Sequence, residues 1–146
     1  MKLTAKGRYA VTALLDLVLH EERAPFSLVE MAERQGIPQA YLERLTGQLR
    51  AKGLLISIRG PGGGYILGMP PETITIAQII EAVDESLDTT RCQGDAACQS
   101  GLKCLTHHLW DDLNQVIQTF LSGITLAELA KRQTTQDIAS RQDAKV

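Results

Sequence analysis

Aromatic residues are scarce in this chain, at 4% of its 146 positions. A core without them has to be built mainly from Leu, Ile, Val and Ala. No segment reaches the ~18 consecutive apolar residues that a membrane span needs. Residues 1–11 also lack the apolar run and small-residue cleavage site of a signal peptide. These absences predict a globular, cytoplasmic protein of one domain, or of one domain with an extension, that does not enter a membrane.

A strong net charge is also missing, since the total is −2. The charges are nevertheless distributed unevenly along the chain. Residues 1–65 carry nine Lys and Arg against six Asp and Glu, whereas residues 66–146 carry six against eleven. The basic first half is a candidate for binding a polyanion, although a mixed solvated surface would account for the charges equally well.

Cysteine is rare, and its placement is informative. The chain has three cysteines, all within residues 91–110, and two of its three histidines follow them directly. Three thiols cannot all pair within one chain, and the reducing cytoplasm disfavours disulfides. This concentration therefore predicts a metal site or a redox role for the segment.

The first third of the chain has the periodicity and end signals of three helices. They are predicted over about 4–22, 27–36 and 38–53. Ser27 and Glu30 form a capping box at the start of the second helix, and Gly36 suits the left-handed position after its end. The third helix begins near Pro38 only a few residues later. Two helices joined by a tight Gly-containing turn predict a helix-turn-helix.

The next segment, residues 54–68, consists of two Leu- and Ile-rich runs on either side of Gly60–Gly64. This pattern predicts a β-hairpin with a glycine-rich tip, and a hairpin after a recognition helix makes a winged helix. Glycine-rich loops also bind nucleotide phosphates. This one lacks the Lys-Ser/Thr of a P-loop and the helix context of a dinucleotide site, so no enzyme is predicted.

The remaining chain is predicted to be helical and then disordered. Capping signals at Thr75 and Thr125 begin two short helices. Between them a long helix carries one apolar stripe, which either packs on the domain or meets a dimer partner. The stripe consists of Leu109, Leu113, Val116, Ile117, Phe120 and Leu121. The predicted fold class is mainly α with a small β-hairpin. The predicted divisions are a DNA-binding domain (1–70), a segment with linker helix, cysteine loop (91–107) and dimerisation helix (71–131), and a disordered tail (132–146).

A recognition helix presents its N-terminal residues to base edges in the major groove. In the third helix these are Gln39, Tyr41, Glu43 and Arg44. A carboxylate such as Glu43 is unfavourable beside phosphates unless it accepts from a cytosine amino group, so it indicates base reading, with a solvated surface Glu as the alternative. Arg59 and Gly60 on the wing suit entry into the minor groove and close backbone approach to phosphate. Candidate phosphate contacts are Lys2, Lys6, Arg8, Arg50 and Lys52.

The cysteines form a ladder of the pattern C-x5-C-x5-C-x2-H, made of Cys92, Cys98, Cys104 and His107. Three thiolates and an imidazole suit either a tetrahedral zinc ion or a [2Fe–2S] cluster. The long, even spacing favours the cluster, because structural zinc sites usually use C-x2-4-C pairs. Either His107 or His108 could complete the set, and thiols that bind nothing remain a third interpretation. His20 lies far away and is expected at a surface or a helix end.

Three segments resemble the IscR family of iron–sulfur cluster regulators, and together the resemblance covers residues 2 to about 131. They are "KGRYAVTALLDL", "RGPGGGYILG" and "AVDESLDTTRCQGDAACQSGLKCLTHHLWDDL". The resemblance implies a homodimeric winged-helix transcription factor that holds [2Fe–2S] through Cys92, Cys98, Cys104 and His107. The loaded form would repress cluster assembly genes, and the apo form would also act at some double-stranded operators. The assembly machinery would donate the cluster.

The resemblance further implies base-reading roles for Glu43 and Arg59. The chain departs from the family beside them, with Ala40 and Arg44 where Ser and Gln are frequent, so its operator preference is expected to differ. We hypothesise that cluster binding orders residues 92–107 and thereby repositions Glu43. The alternatives are an iron–sulfur electron carrier or cluster carrier, and a zinc-stabilised regulator.

Overall fold

The computed structural model describes residues 5–83 and 102–145. The elements in chain order are α1 (Ala5–Leu19), α2 (Leu28–Gln35), α3 (Gln39–Ala51), β1 (Leu55–Ile58), β2 (Gly64–Leu67), α4 (Ile76–Ala82), α5 (His107–Ser122), α6 (Leu126–Ala130) and α7 (Gln133–Lys145). Single 3-10 turns lie at Glu21–Arg23 and Pro71–Thr73. The helices and the antiparallel hairpin confirm the predicted fold class. Within these ranges, no helix combines the length and apolar character required to cross a bilayer.

Local capping signals determine where three of the helices begin. In each one, the side chain of a Ser or Thr accepts a hydrogen bond from the backbone N–H of the residue three positions later. The side chain of that later residue accepts in return from the backbone N–H of the Ser or Thr. The pairs are Ser27 with Glu30, Thr75 with Gln78, and Thr125 with Glu128. These reciprocal bonds satisfy N–H groups that a helix start leaves without partners. The predicted starts at these three positions are confirmed.

The turn between α2 and α3 depends on one glycine. Gly36 adopts the left-handed conformation at φ 67° directly after α2, where its N–H bonds to the carbonyl of Ala32. A residue with a side chain would be strained there. The chain reverses through Ile37 and Pro38 and enters α3 at once. The predicted helix-turn-helix is therefore formed.

The wing is attached to the helical part through Phe26. Leu55 pairs with Leu67 and Ile58 with Gly64 across the hairpin. The outer edge of β2 continues this pairing, because Tyr65 N donates to Phe26 O at 2.8 Å and Phe26 N donates to Tyr65 O at 3.2 Å. A Cβ on Gly64 would collide with the carbonyl oxygen of Phe26, so this close approach requires glycine.

One apolar core joins the helix-turn-helix to the segments that follow the wing. Helix α1 lies at its centre and packs against α3, α4 and α6. Ile76 N donates to Ile124 O at 3.0 Å, and Leu126 N donates to Ile74 O at 2.8 Å, which holds α4 beside α6. The fully enclosed aliphatic side chains are contributed by all of these elements and include Leu14, Leu42, Leu49, Ile79 and Leu126. Burying such side chains stabilises the fold by about 1.5–3 kcal/mol each.

The C-terminal segment differs from the prediction. Residues 132–146 are expected to be disordered, but α7 extends over Gln133–Lys145. Its side chains bond to distant helices: Asp143 contacts His20, and Gln142 contacts Gln35. The prediction was wrong because it considered only the low hydropathy of the segment, whereas polar partners elsewhere in the chain order it.

His20 also departs from expectation. It follows the last residue of α1, as a helix-end residue would, but its exposed fraction is 2%. Burial of a polar ring is tolerated there because both ring nitrogens have hydrogen-bonding partners. Of the two predicted alternatives, the helix-end position is therefore confirmed and the surface position is wrong.

Candidate nucleic-acid interface and metal centre

The outward side of α3 carries the predicted base readers. Gln39, Glu43 and Arg44 are exposed, and Gln39 and Glu43 lie one turn apart on the same face. Tyr41 is half-buried, with its ring 5.5 Å from that of Tyr9 in an edge-to-face arrangement. The Arg44 guanidinium lies 5.9 Å from the Tyr41 ring centroid. The half-buried Tyr41 is therefore better placed to support Arg44 than to contact a base itself.

Basic residues gather in a cleft between α1 and α3. A cavity of about 480 Å³ is lined by Lys6 together with Tyr41, Arg44 and Gln48. Cationic side chains beside a recognition helix are suited to phosphate contacts. Arg8, Arg50 and Lys52 are exposed elsewhere on the same domain. Lys2 lies outside the described residues.

Arg59 lies at the wing tip, immediately after β1, and is exposed together with Gly60. Gly60 has φ 95°, and its carbonyl oxygen accepts from Gly63 N at 2.9 Å, which closes the tip. The turn thus places the exposed Arg59 side chain next to the glycine backbone of the wing tip. This geometry allows both the side chain and the main chain to approach a polyanion.

Two of the four predicted metal ligands are described, and they are close together. Cys104 is half-buried just before α5, and His107 is the first residue of that helix. The His107 N–H donates to the Cys104 carbonyl at 3.2 Å, which closes a tight turn. Cys92 and Cys98 lie outside the described residues. In the described ranges no three His, Cys, Asp or Glu side chains are grouped as a metal site would require.

The adjacent histidines have different surroundings. His107 has an exposed fraction of 7%, whereas His108 is exposed, and their rings meet edge to face at 5.5 Å. An imidazole and a thiol carried by one tight turn are both side chains that bind iron or zinc. The structure therefore distinguishes two residues that the spacing alone leaves equivalent.

The Thr106 hydroxyl lies beside Cys104 and accepts a hydrogen bond from the Trp110 indole, two contacts that were not predicted from the sequence. Trp110 Nε1 donates to Thr106 Oγ1 at 3.0 Å, and Cys104 Sγ lies 3.9 Å from the same oxygen. Thr106 occupies the N-cap of α5 without capping the backbone through its side chain. A Thr at an N-cap with Trp four residues later is the sequence signal that could have indicated this contact.

The apolar stripe of α5 is largely uncovered in the single chain. Leu109, Val116 and Phe120 are 57%, 64% and 62% exposed, and Leu113 is 38% exposed. Ile117 and Leu121 are half-buried. Exposed apolar side chains repeated along one helix face are characteristic of a protein interaction surface.

Known proteins of similar sequence and structure are transcriptional regulators. The chain is 55% identical over 144 residues to the HTH-type transcriptional regulator IscR of Xenorhabdus nematophila, which covers 99% of this chain and 88% of that protein. Among solved structures, IscR of T. potens matches with a TM-score of 0.74 and 37% identity, over 90% of this chain and 87% of that one. CymR, the global cysteine regulator of B. subtilis, matches with a TM-score of 0.77 and 31% identity, over 89% and 96%.

A winged helix-turn-helix with an exposed recognition helix defines a DNA-binding transcriptional regulator. The family described as Rrf2, iron-dependent transcriptional regulator, matches residues 3–132. The chain belongs to the Rrf2 family.

Proposed function

We propose that this chain is a cytoplasmic regulator that senses a [2Fe–2S] cluster held by Cys92, Cys98, Cys104 and His107 and controls the genes for cluster assembly. The observation that carries the proposal is the turn in which Cys104 and the buried His107 meet at the start of α5. The iron-dependent family and the relatives named IscR support it. The assembly machinery would supply the cluster, and no enzymatic activity is proposed.

The ligand chemistry fits this cofactor. Three thiolates and one neutral imidazole can complete two tetrahedral iron sites. The ring of His107 is shielded from water, while the half-buried Cys104 remains close to the surface. When bound, the cluster supplies a group sensitive to oxidation and iron supply. The chain's own contribution is to hold one thiol and one imidazole in a preformed turn.

The exposed stripe of α5 supports a homodimer. A second copy of the same helix would cover Leu109, Val116 and Phe120, which water otherwise contacts. Helix-turn-helix proteins commonly use such two-fold symmetry to read two half-sites of a palindromic operator. We therefore propose that α5 pairs with α5 of a partner and sets the spacing of the two α3 helices.

On DNA, Glu43 and Arg59 are proposed to read bases. Gln39 and Arg44, the latter supported by Tyr41, would face base edges beside Glu43. Arg50, Gly60, Lys2 and Lys6 would contact phosphates. The exposure of Glu43 on the outward face of α3 supports its role. The loaded form would repress, and the apo form would act at a second class of operators.

Packed elements connect the ligand turn with the recognition helix. Helix α5 packs on α4, where Gln118 Nε2 donates to Glu81 at 3.4 Å, and α4 in turn packs on α3. A change in the position of α5 can therefore reach α3 through the core. We propose that ligand binding by residues 92–107 shifts this arrangement and with it the presentation of Glu43.

Anaerobic purification of the full chain, followed by iron, sulfide and zinc analysis, tests the proposal. The protein should be coloured and contain about two iron and two sulfide per chain. Cys104→Ser is the matched control, expected to lose the colour while the fold persists. Each form is then titrated onto promoter DNA of cluster assembly genes. Colourless, zinc-loaded protein would contradict cluster sensing, and a coloured protein without DNA binding would favour a carrier.

A further inference from the structure

His20 connects the helix-turn-helix to the C-terminal helix. Its Nδ1 lies 2.8 Å from the backbone carbonyl oxygen of Asp16, one turn earlier at the end of α1. Its Nε2 lies 2.8 Å from Oδ1 of Asp143 on α7, 123 positions away in the sequence. The ring is buried, whereas the Asp143 side chain is 35% exposed. Asp143 therefore reaches a buried imidazole from the surface.

The two partners determine the protonation of this contact. A carbonyl oxygen and an ionised carboxylate only accept hydrogen bonds, so each ring nitrogen of His20 has to donate. A neutral imidazole has one N–H, whereas an imidazolium has two. Without the additional proton, one ring nitrogen presents a lone pair to an acceptor: Nε2 to Asp143 in one tautomer, or Nδ1 to the carbonyl oxygen of Asp16 in the other. The geometry thus requires one proton more than neutral His20 and ionised Asp143 provide.

The other charged groups around His20 are already paired. Asp16 Oδ1 lies 3.4 Å from Nδ1, but this carboxylate accepts from Arg34 Nε at 2.8 Å and Arg34 Nη2 at 2.6 Å, and from Gln35 at 2.7 Å. Arg34 stacks on Phe26, whose ring is 5.8 Å from that of His20. The charge of Asp16 is thus largely neutralised by Arg34. Asp143 is the carboxylate that faces Nε2 of a protonated His20, and it also interacts electrostatically with Arg34.

The other side-chain hydrogen bonds that attach α7 within the described residues include one from Gln136 Nε2 to Ala130 O at 3.5 Å. The side-chain amides of Gln35 and Gln142 exchange hydrogen bonds of 3.0 and 3.1 Å. Beside them a cavity of about 260 Å³ between α1, α2 and α7 shows that the apolar packing is incomplete. Ile138, the largest apolar residue of α7, is 56% exposed. The attachment therefore depends heavily on polar contacts.

We propose that the α1–α2 surface around His20 and Gln35 is a docking site for α7 of the same chain, and that protonation of His20 governs its occupancy. The contact is strongest while both ring nitrogens of His20 carry hydrogens, and loss of one of these protons as pH rises weakens the hold on α7. Because docking is linked to at most one proton, the docking constant should fall by up to about tenfold per pH unit, and only over the pH range in which that proton is lost. Release of α7 removes its contacts with α2, the first helix of the helix-turn-helix.

The test uses the full chain, labelled with ¹⁵N and studied by NMR between pH 5.5 and 8.5. Backbone order parameters of residues 133–145 and the ring shifts of His20 are followed together. The order parameters of residues 133–145 should be about 0.85 at low pH and fall below about 0.6 at high pH. The change should coincide with titration of the His20 ring. A tail that is equally ordered, or equally mobile, at every pH would overturn the proposal.

Two substitutions on α7 sharpen the test. The amide of Asp143→Asn can offer its oxygen to an N–H or its NH₂ to a bare ring nitrogen, so docking should persist and lose its pH dependence. Asp137→Asn is the matched control, because the Asp137 side chain accepts from Gln133 of its own helix. It should keep the parent profile. An Asp143→Asn profile identical to that of the parent would refute the role of His20. None of these readouts depends on the cluster or on DNA.

Discussion

The backbone N–H of His107 donates to the carbonyl oxygen of Cys104 at 3.2 Å, which closes a turn immediately before α5. This bond fixes the backbone conformation between the two proposed ligands, Cys104 and His107, without any bound metal. A ligand turn of this kind makes retention of the cofactor sensitive to single substitutions.

His107→Ala should make the cluster labile, whereas His108→Ala should leave its spectrum and stability nearly unchanged. Mutation of a residue that only hydrogen-bonds to a metal ligand typically lowers metal affinity by about 10–100-fold. Loss of a ligand itself should therefore accelerate decay of the cluster in air by at least that factor. His107→Cys should restore four ligands. Cluster occupancy and decay are measured by visible absorption in the parent and three variants. Loss of the cluster in His108→Ala but not in His107→Ala would reverse the assignment.

Phe120→Asp should weaken dimerisation by about 100-fold or more, because about 3 kcal/mol or more is needed to bury a carboxylate in an apolar interface. Phe120 is 62% exposed in the single chain, so the substitution should leave the folded monomer intact. Gln115→Asp, an exposed polar position on the same helix, is the control. Sedimentation equilibrium measures both. A parent protein that remains monomeric at micromolar concentration would contradict the proposed interface.

Glu43→Ala should relax discrimination at one base pair, whereas Arg59→Ala should weaken binding to all sequences. Each mismatch in a specific site typically costs about 1–3 kcal/mol, and that difference should disappear at one position only. Binding is compared on a selected operator and its single-base variants. Glu33→Ala removes an exposed carboxylate from α2 and serves as control. If Glu43→Ala left the specificity profile unchanged, the residue would not be a base reader.

Arg34→Ala should destabilise the fold by about 3–5 kcal/mol, because it leaves the carboxylate of Asp16 buried without a counter-ion. Asp16 has a fully buried side chain and receives two bonds from the guanidinium. The same contact, through its hydrogen bond above all, raises the pKa of Arg34. Urea unfolding measures the loss, with the exposed Arg50→Ala as reference. A change below about 1 kcal/mol, the range of surface pairs, would mean that the ion pair is not structurally important.

Signals within a few residues were sufficient to predict much of the fold. Ser27, Thr75 and Thr125 each cap a helix through a residue three positions on, and both partners of the bond lie in one short segment. Gly36 and the glycine-rich tip of the wing are likewise local, since the backbone conformation they require can be inferred from the residue type. Such features do not depend on what the rest of the chain does.

Contacts between distant residues could not be predicted in this way. The ligand spacing left His107 and His108 equivalent, although the family resemblance implied His107, and only the packing at the start of α5 buries one ring and exposes the other. The support of Arg44 by Tyr41 and Tyr9 depends on how α1 crosses α3. Neither result follows from helical periodicity, because periodicity assigns residues to a face without identifying what covers that face.

The sequence by itself determined the helix-turn-helix, the wing and the apolar stripe, because capping, glycine conformation and helical spacing act between neighbours. The tertiary structure decided that α7 forms and that His20 is buried. Asp143 is a polar residue in a polar segment until folding brings it 2.8 Å from a histidine 123 positions earlier. A buried polar ring requires partners, and the positions of those partners are known only when the whole chain has folded.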